Sequence, residues 1–405
     1  MPVWQRNIIV LWFGTFMAGV GFSEVLPFLS FYIDELGNFT KSQLNFYSGV
    51  TFAITFLVTA VVSPFWGKLA DIKGRKLMLL RASFGMAIVF SLMGLSQNVW
   101  QLIGLRALQG VFAGFVSNAN ALIATETPKH SSGKALGILV TGTTSGSLLG
   151  PLLGGALANI FDYRNVFFVT GGLLFLVFLL SFFFVKETKQ APAKGLMQAQ
   201  SFHSVYHMLK SPQLIIGLVI TTMIIQASNN SINPILSLYV RQMMSGHGNV
   251  TFTAGIVAAM PGIATVIAAP IFGRVGDRVG TERMLMAGFL WAVLVFALTG
   301  FVHSIPQLML LRFFVGISDA TMLPAVNTLL AKNTPTAVTG RIFSYNQSFQ
   351  SIGSVIGPML GTTVSSMFGY SAVFFSTAIL VLMNMILFYF NSKELRLERK
   401  MEKEH

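Results

Sequence analysis

Pro64-Phe65-Trp66-Gly67-Lys68-Leu69-Ala70-Asp71 and Pro270-Ile271-Phe272-Gly273-Arg274-Val275-Gly276-Asp277 are one loop written twice, 206 residues apart. At the same offset Gly74 meets Gly280, Leu105-Arg106 meets Leu311-Arg312, and Gly110 meets Gly316. One inserted residue then moves the offset to 207. Thr127-Pro128 meets Thr334-Pro335, Gly133 meets Gly340, and Gly146, Gly150, Pro151 and Gly154 meet Gly353, Gly357, Pro358 and Gly361. Shared hydropathy would not align Asp with Asp or Arg with Arg, so the chain is read as two copies of one unit.

The composition says what kind of unit. Of 405 residues, 53% are hydrophobic and 10% charged, and the mean hydropathy is +0.68. A soluble chain carries about 25% charge. Disorder requires low hydrophobicity and high charge, and zero cysteines exclude a disulfide scaffold. Apolar stretches run at 8–33, 46–66, 77–96, 101–123, 135–160 and 165–185, then at 213–240, 252–272, 284–303, 307–329, 341–368 and 372–391. Each is long enough to span a bilayer. The first runs well past a signal-peptide core and reads as an uncleaved helix. The expected fold is an all-α membrane protein with twelve transmembrane helices in two pseudo-symmetric six-helix bundles. The bundles occupy 1–185 and 213–391, with a cytoplasmic linker at 186–212 and a cytoplasmic tail at 392–405. Parallel repeats imply a pseudo-two-fold axis along the membrane normal, the plan of carriers that expose a mid-membrane site to each side in turn.

The net charge of +13 fits this topology. With the N-terminus inside, twenty-one of the 27 Lys and Arg fall in the tails, the linker and the loops at 67–80, 124–134, 273–283 and 330–341. Lys41, Arg164 and Arg241 fall outside, balanced there by Asp34, Glu35 and Asp162. That asymmetry is the positive-inside bias. It places both termini in the cytoplasm and removes the case for a nucleic-acid partner.

Three motifs carry a family resemblance. Gly67-Lys68-Leu69-Ala70-Asp71-Ile72-Lys73-Gly74-Arg75-Lys76 resembles the loop 2–3 signature of the major facilitator superfamily, and Leu105-Arg106-Ala107-Leu108-Gln109-Gly110 its helix 4 motif. Gly142-Thr-Thr-Ser-Gly146-Ser-Leu-Leu-Gly150-Pro151-Leu-Leu-Gly154-Gly155 resembles the helix 5 antiporter motif of the drug:proton antiporter-1 family. Ser63–Arg81, Asn118–Thr125 and Gly340–Phe349 add a likeness to multidrug efflux members of that family. The resemblance covers residues 6 to 390. It implies proton-coupled efflux of small lipophilic or amphiphilic substrates by alternating access, in the inner (cytoplasmic) membrane, by a monomer. It also implies that Arg106 serves proton coupling and that Asp71 meets the start of helix 11 near Gly340.

Read residue by residue, the loop motif offers a gate. Gly67 and Gly74 permit turning at the membrane face. Asp71 sits among Lys68, Lys73, Arg75 and Lys76, and a carboxylate at a helix N-terminus is stabilised by the helix dipole. The second copy keeps Asp277 but has Thr281-Glu282 for Arg75-Lys76, so its gate is expected to be weaker. Gly146 and Gly150 allow close helix approach, and Pro151 removes a backbone hydrogen bond and invites a kink.

Charges inside spans are expensive unless paired or hydrated. They are chiefly Glu24, Arg106, Arg312 and Asp319, with Arg81 within or at the end of a further span. Arg106 either snorkels to an interface or works in the interior. Glu24 and Asp319 are the two carboxylates well within spans, and neither is repeated: Asp319 falls on Ala113 and Glu24 on Asn230. Burial without a cation favours the protonated form of a carboxylic acid, the property a proton-coupled carrier needs. Seven residues separate Arg312 from Asp319, two turns, so direct contact is not expected. Amides and a phenol gather at Asn118 and Asn120, at Gln226, Asn229, Asn230 and Asn233, and at Tyr345, Asn346, Gln347 and Gln350. They bind substrate or join helices, the latter being the commoner use. Twenty Met and 37 Phe, among them Phe22 and Phe28, offer adaptable apolar walls.

Enzyme readings have little to stand on. The six histidines are scattered, and His203 with His207 is too few ligands for a metal. No Gly-Lys-Ser/Thr phosphate loop is present, so no cofactor or ATP drive is expected. The remaining alternatives are a proton symporter or a sugar or metabolite exporter on the same fold, and a transport-inactive sensor or scaffold.

Overall fold

The computed structural model describes residues 2–188, 208–209, 211–335 and 338–392. Within these ranges the side chains of Lys68, Asp71, Lys129, His130, Ser132, Lys134, Arg274, Asp277, Thr339 and Arg341 lie outside the description. Fourteen α-helices and no strand occur among the described residues. In chain order they are α1 (Val3–Ser23), α2 (Leu29–Glu35), α3 (Lys41–Lys73), α4 (Arg75–Gly94), α5 (Val99–Phe112), α6 (Phe115–Glu126), α7 (Lys129–Ile160) and α8 (Tyr163–Phe184). Then follow α9 (Pro212–Met243), α10 (Val250–Val279), α11 (Thr281–Thr299), α12 (Ile305–Asn333), α13 (Thr339–Phe368) and α14 (Tyr370–Asn391).

Fourteen helices make twelve spans because two spans are broken. The first, expected as one helix over 8–33, is α1 and α2 joined by a turn at Glu24–Phe28. Pro27 has no N–H to continue the helix. The backbone stays bonded through Leu26 N to the Ser23 carbonyl at 3.1 Å and Leu29 N to the Val25 carbonyl at 2.8 Å. The fourth, expected over 101–123, is α5 and α6, parted at Ala113-Gly114, where Gly114 takes φ +107. Eleven segments among the described residues are long and apolar enough to cross a membrane on their own. α13 is the twelfth, rich in Ser, Asn and Gln, and it is a span by repetition of α7.

The repeat is visible in local geometry. Gly74 turns α3 into α4 at φ +96, and Gly280 turns α10 into α11 at φ +99. Gly67 does not share in this turn. It lies inside α3, where a Cβ would meet nothing within 4 Å. Thr59 Oγ1 donates to the Gly110 carbonyl at 3.3 Å, and its mate Thr265 Oγ1 donates to the Gly316 carbonyl at 2.9 Å. α7 lays Gly146, Gly150 and Gly154 against the carbonyls of Phe16, Val20 and Glu24 in α1 and the turn after it. α13 lays Gly353, Gly357 and Gly361 against the carbonyls of Met223, Ala227 and Ser231 in α9. Both partners advance four residues per contact, as interlocking four-residue ridges require. This register pairs Glu24 with Ser231, not with Asn230, because the 207 offset applies here as well.

Contacts divide the chain into two compact units, Met1–Lys194 with Leu236–Ala259, and Gly195–Ile235 with Met260–His405. The segment Leu236–Ala259 joins the first unit through specific contacts. Arg241 Nη1 pairs with Asp34 Oδ2 at 2.6 Å, Tyr163 and Thr251 share a hydroxyl hydrogen bond at 3.3 Å, and Gly255 backs onto the Pro151 carbonyl.

Candidate functional site

In the first unit the glycine contacts fix where Glu24 sits. A Cβ at Gly150 or Gly154 would run into Ser23 and the Glu24 backbone, so α1 ends pressed against α7. The Glu24 side chain is 1% exposed. It lies beside the hydroxyl of Thr170 in α8, while Oε1 has no hydrogen-bond partner among the described residues. No cation forms an ion pair with it among those residues. The broken helix and the buried acid coincide: Glu24 is the first residue beyond α1.

Arg106, in α5, does not snorkel. It is 3% exposed, donating from Nε to the Thr51 carbonyl at 3.2 Å and from Nη1 to Gln109 Oε1 at 2.7 Å. The Phe52 ring lies 5.8 Å from its guanidinium. No carboxylate pairs with it among the described residues. Asn118 Nδ2 donates to the Gly114 carbonyl at 2.8 Å, and the buried Asn120 Oδ1 has no partner among the described residues.

In the second unit Asp319 Oδ1 accepts from Asn229 Nδ2 at 2.8 Å, and no ion pair with Arg312 forms. Arg312 is 5% exposed, and its Nε has no partner among the described residues. Asn233 Nδ2 donates to Asn230 Oδ1 at 2.9 Å, and Asn230 Nδ2 donates to the Gln226 carbonyl at 3.0 Å and to Ser354 Oγ at 3.4 Å. The α9 amides therefore divide: Asn229 binds the acid, while Asn230 and Asn233 tie α9 to itself and to α13. Gln226 is half-buried. Asn346 Nδ2 reaches Asn327 Oδ1 at 3.4 Å, and Tyr345, beside it, is half-buried.

Of the gate residues, Asp71 and Asp277 lie outside the described side chains. Arg75 and Lys76 are described. Their backbone N–H groups donate to Glu187 Oε1 and Oε2 at 2.7 and 2.8 Å, a carboxylate on the helix N-terminus of α4. Lys76 Nζ also donates to the Phe182 carbonyl at 2.9 Å. Pro151 leaves α7 continuous from Lys129 to Ile160. Most of the linker at 186–212 lies outside the described residues. Its first residues are anchored, Lys186 by Asn7 and Thr188 by Glu126. Thr170 and Glu187 had no sequence signal of their own, because each faces a partner more than a hundred residues away. Gln109 stands in the helix 4 motif and meets Arg106 three residues before it.

A family model described as Major Facilitator Superfamily matches residues 11–251 and again 218–404. The chain is 51% identical over 383 residues to Multidrug resistance protein MdtG of Enterobacter lignolyticus (strain SCF1), covering 95% of this chain and 91% of that one. It is 50% identical over 383 residues to the protein of that name from Salmonella arizonae, covering 95% and 94%. Among solved structures it resembles a bacterial homolog of the human lysosomal transporter Spinster, inward-facing and unoccupied. There the TM-score is 0.83 at 14% identity, over 97% of this chain and 98% of that one. It also resembles the nucleoside transporter NupG, with a TM-score of 0.79 at 12% identity over 96% and 100%. Those likenesses concern the fold. With the repeated loops, the paired glycine ridges and the family match in agreement, this multi-span membrane protein belongs to the major facilitator superfamily.

Proposed function

We propose that the protein is a proton-coupled multidrug efflux transporter of the inner membrane, exchanging small lipophilic or amphiphilic compounds for protons by alternating access. The observation that carries the reading is Glu24, a carboxyl group 1% exposed at a break in a membrane helix, with no paired cation and one unbonded oxygen among the described residues. Such a group in a bilayer is costly and by default functional. The relatives' name, multidrug resistance protein, supports the substrate class. Asp319, held by Asn229, is the second proton or substrate group, and the tails face the cytoplasm by the distribution of Lys and Arg. Asp71 biases the carrier toward one of its two states.

A lipophilic cation added to purified protein in weak buffer should release protons, read with a pH dye. Glu24→Gln and Asp319→Asn should each diminish that release. Full release from both variants would remove these acids from proton coupling, and no release from the unmodified protein would remove the coupling itself. In everted vesicles, a fluorescent cation should accumulate against an imposed pH gradient, more slowly with Asp71→Asn at equal membrane content.

A further inference from the structure

α3 turns one face toward α5. Thr55 Oγ1 donates to the Arg106 carbonyl at 2.9 Å, Thr59 Oγ1 to the Gly110 carbonyl, and Arg106 Nε to the Thr51 carbonyl. Asn45, Ser48, Phe52, Thr55 and Thr59 follow one another at three- and four-residue steps, so Asn45 and Ser48 continue that face toward the Thr40 end of the helix. Asn45, Ser48, Thr51 and Thr55 are all 0% exposed. Thr51 and Thr55 have satisfied hydroxyls. Asn45 does not: its Nδ2 and Oδ1, the Ser48 hydroxyl and, one turn beyond Arg106 on α5, Gln109 Nε2 have no partner among the described residues.

Polar atoms buried without a protein partner are ordinarily bonded to ordered water. The scaffold does not demand polarity here. At the 206 offset the second half has Ala254, Val257 and Pro261 for Ser48, Thr51 and Thr55, and Val315 for Gln109, around the repeated Arg312. Ala254 and Val257 are 0% exposed as well. At Ser48 and Gln109 the first half thus places unsatisfied polar groups where its repeat is apolar, while the mate of Asn45 is Thr251, whose hydroxyl is bonded to Tyr163. These groups lead to a buried guanidinium with no paired carboxylate among the described residues.

We propose that this face of α3 is a water-binding path, about 15 Å long from Asn45 to Thr55, which hydrates Arg106 from the Thr40 end of the helix. Asn45 and Ser48 hold the first waters and Gln109 Nε2 the last. Proton passage along the path rests on the proton-coupled reading above; its hydration does not.

The chain has no cysteine, so one introduced thiol is the sole target for a thiol probe. Silver ion is close to water in size and captures the thiolate, which an apolar setting suppresses. The full-length protein in lipid nanodiscs is exposed to silver ion and quenched, and free thiols are counted with a maleimide in denaturing detergent. Ser48→Cys should be blocked roughly tenfold faster than Ala254→Cys or Val257→Cys, because a hydrated thiol ionises and a dry one does not. Asn45→Leu added to Ser48→Cys should slow the blocking. Equal, slow blocking at both repeats overturns the proposal, as does an unchanged rate with Asn45→Leu. If Ser48→Cys fails to insert, Asn45→Cys takes its place with the same expected contrast.

Discussion

The two halves share a scaffold and differ instructively in the middle of the fourth span of each. In the first half the helix breaks at Ala113-Gly114, and Arg81 of α4 fills the gap. Its Nη1 donates to the Val111 carbonyl at 3.2 Å and its Nη2 to the Ala113 carbonyl at 2.7 Å, while its guanidinium lies 3.8 Å from the Trp66 ring centroid. In the second half α12 runs unbroken from Ile305 to Asn333. The mates of Arg81, Ala113 and Gly114 are Ala287, Asp319 and Ala320. A break in a membrane helix frees carbonyls that no solvent can satisfy, so it persists only where another group supplies donors. The half with the arginine can break, and the half with alanine keeps its helix and carries its buried acid in the regular backbone.

The largest test of this contrast is Arg81→Ala. It strands the Val111 and Ala113 carbonyls, each worth about 1–3 kcal/mol when buried and unbonded, and removes the stacking on Trp66. We expect a loss of about 2–5 kcal/mol in detergent unfolding, and a partial loss for Arg81→Lys, whose ammonium lacks the planar fork of donors. An unfolding midpoint unchanged in Arg81→Ala would mean that the break is satisfied from elsewhere.

What could be read in the sequence follows the same division. The repeated loops, the glycine ridges and the charges inside spans were legible because each is a local pattern or a rarity in an apolar chain. The breaks were not. Pro27 sits in an apolar run, and prolines such as Pro151 leave their helix continuous. Gly114 is one glycine among many, and the residue that decides its conformation lies more than thirty positions away. The same holds for the acids. Their burial was readable from their spans, but that Asp319 takes Asn229 rather than Asn230, and that Glu24 lies beside Thr170, depends on helix rotation that hydropathy leaves free.

Gly114→Ala is a smaller test on the same break. A Cβ there would come no nearer than 3.6 Å to the Asn118 amide, so space is not the obstacle. The φ of +107 is. Holding an L-residue in the left-handed region costs roughly 1–2 kcal/mol, and that is the expected loss. A stabilised Gly114→Ala protein, with α5 and α6 fused and the Arg81 contacts released, would instead show that the break exists only by the absence of a side chain.

The smallest effect is expected from carrying that glycine into the other half. Ala320 is 2% exposed in an intact helix, and its neighbourhood has no arginine at position 287 to receive freed carbonyls. Ala320→Gly should therefore lower stability by about 1 kcal/mol, the intrinsic penalty of glycine in a helix interior, and leave α12 unbroken. Adding Ala287→Arg supplies donors where the first half has them. If donors are what license a break, amide hydrogen exchange near position 320 should rise in the double variant and hardly in Ala320→Gly alone. Equal exchange in the two proteins would assign the break to glycine and not to arginine. The contrast between the halves would then lie in one backbone position rather than in a pair of residues on neighbouring helices.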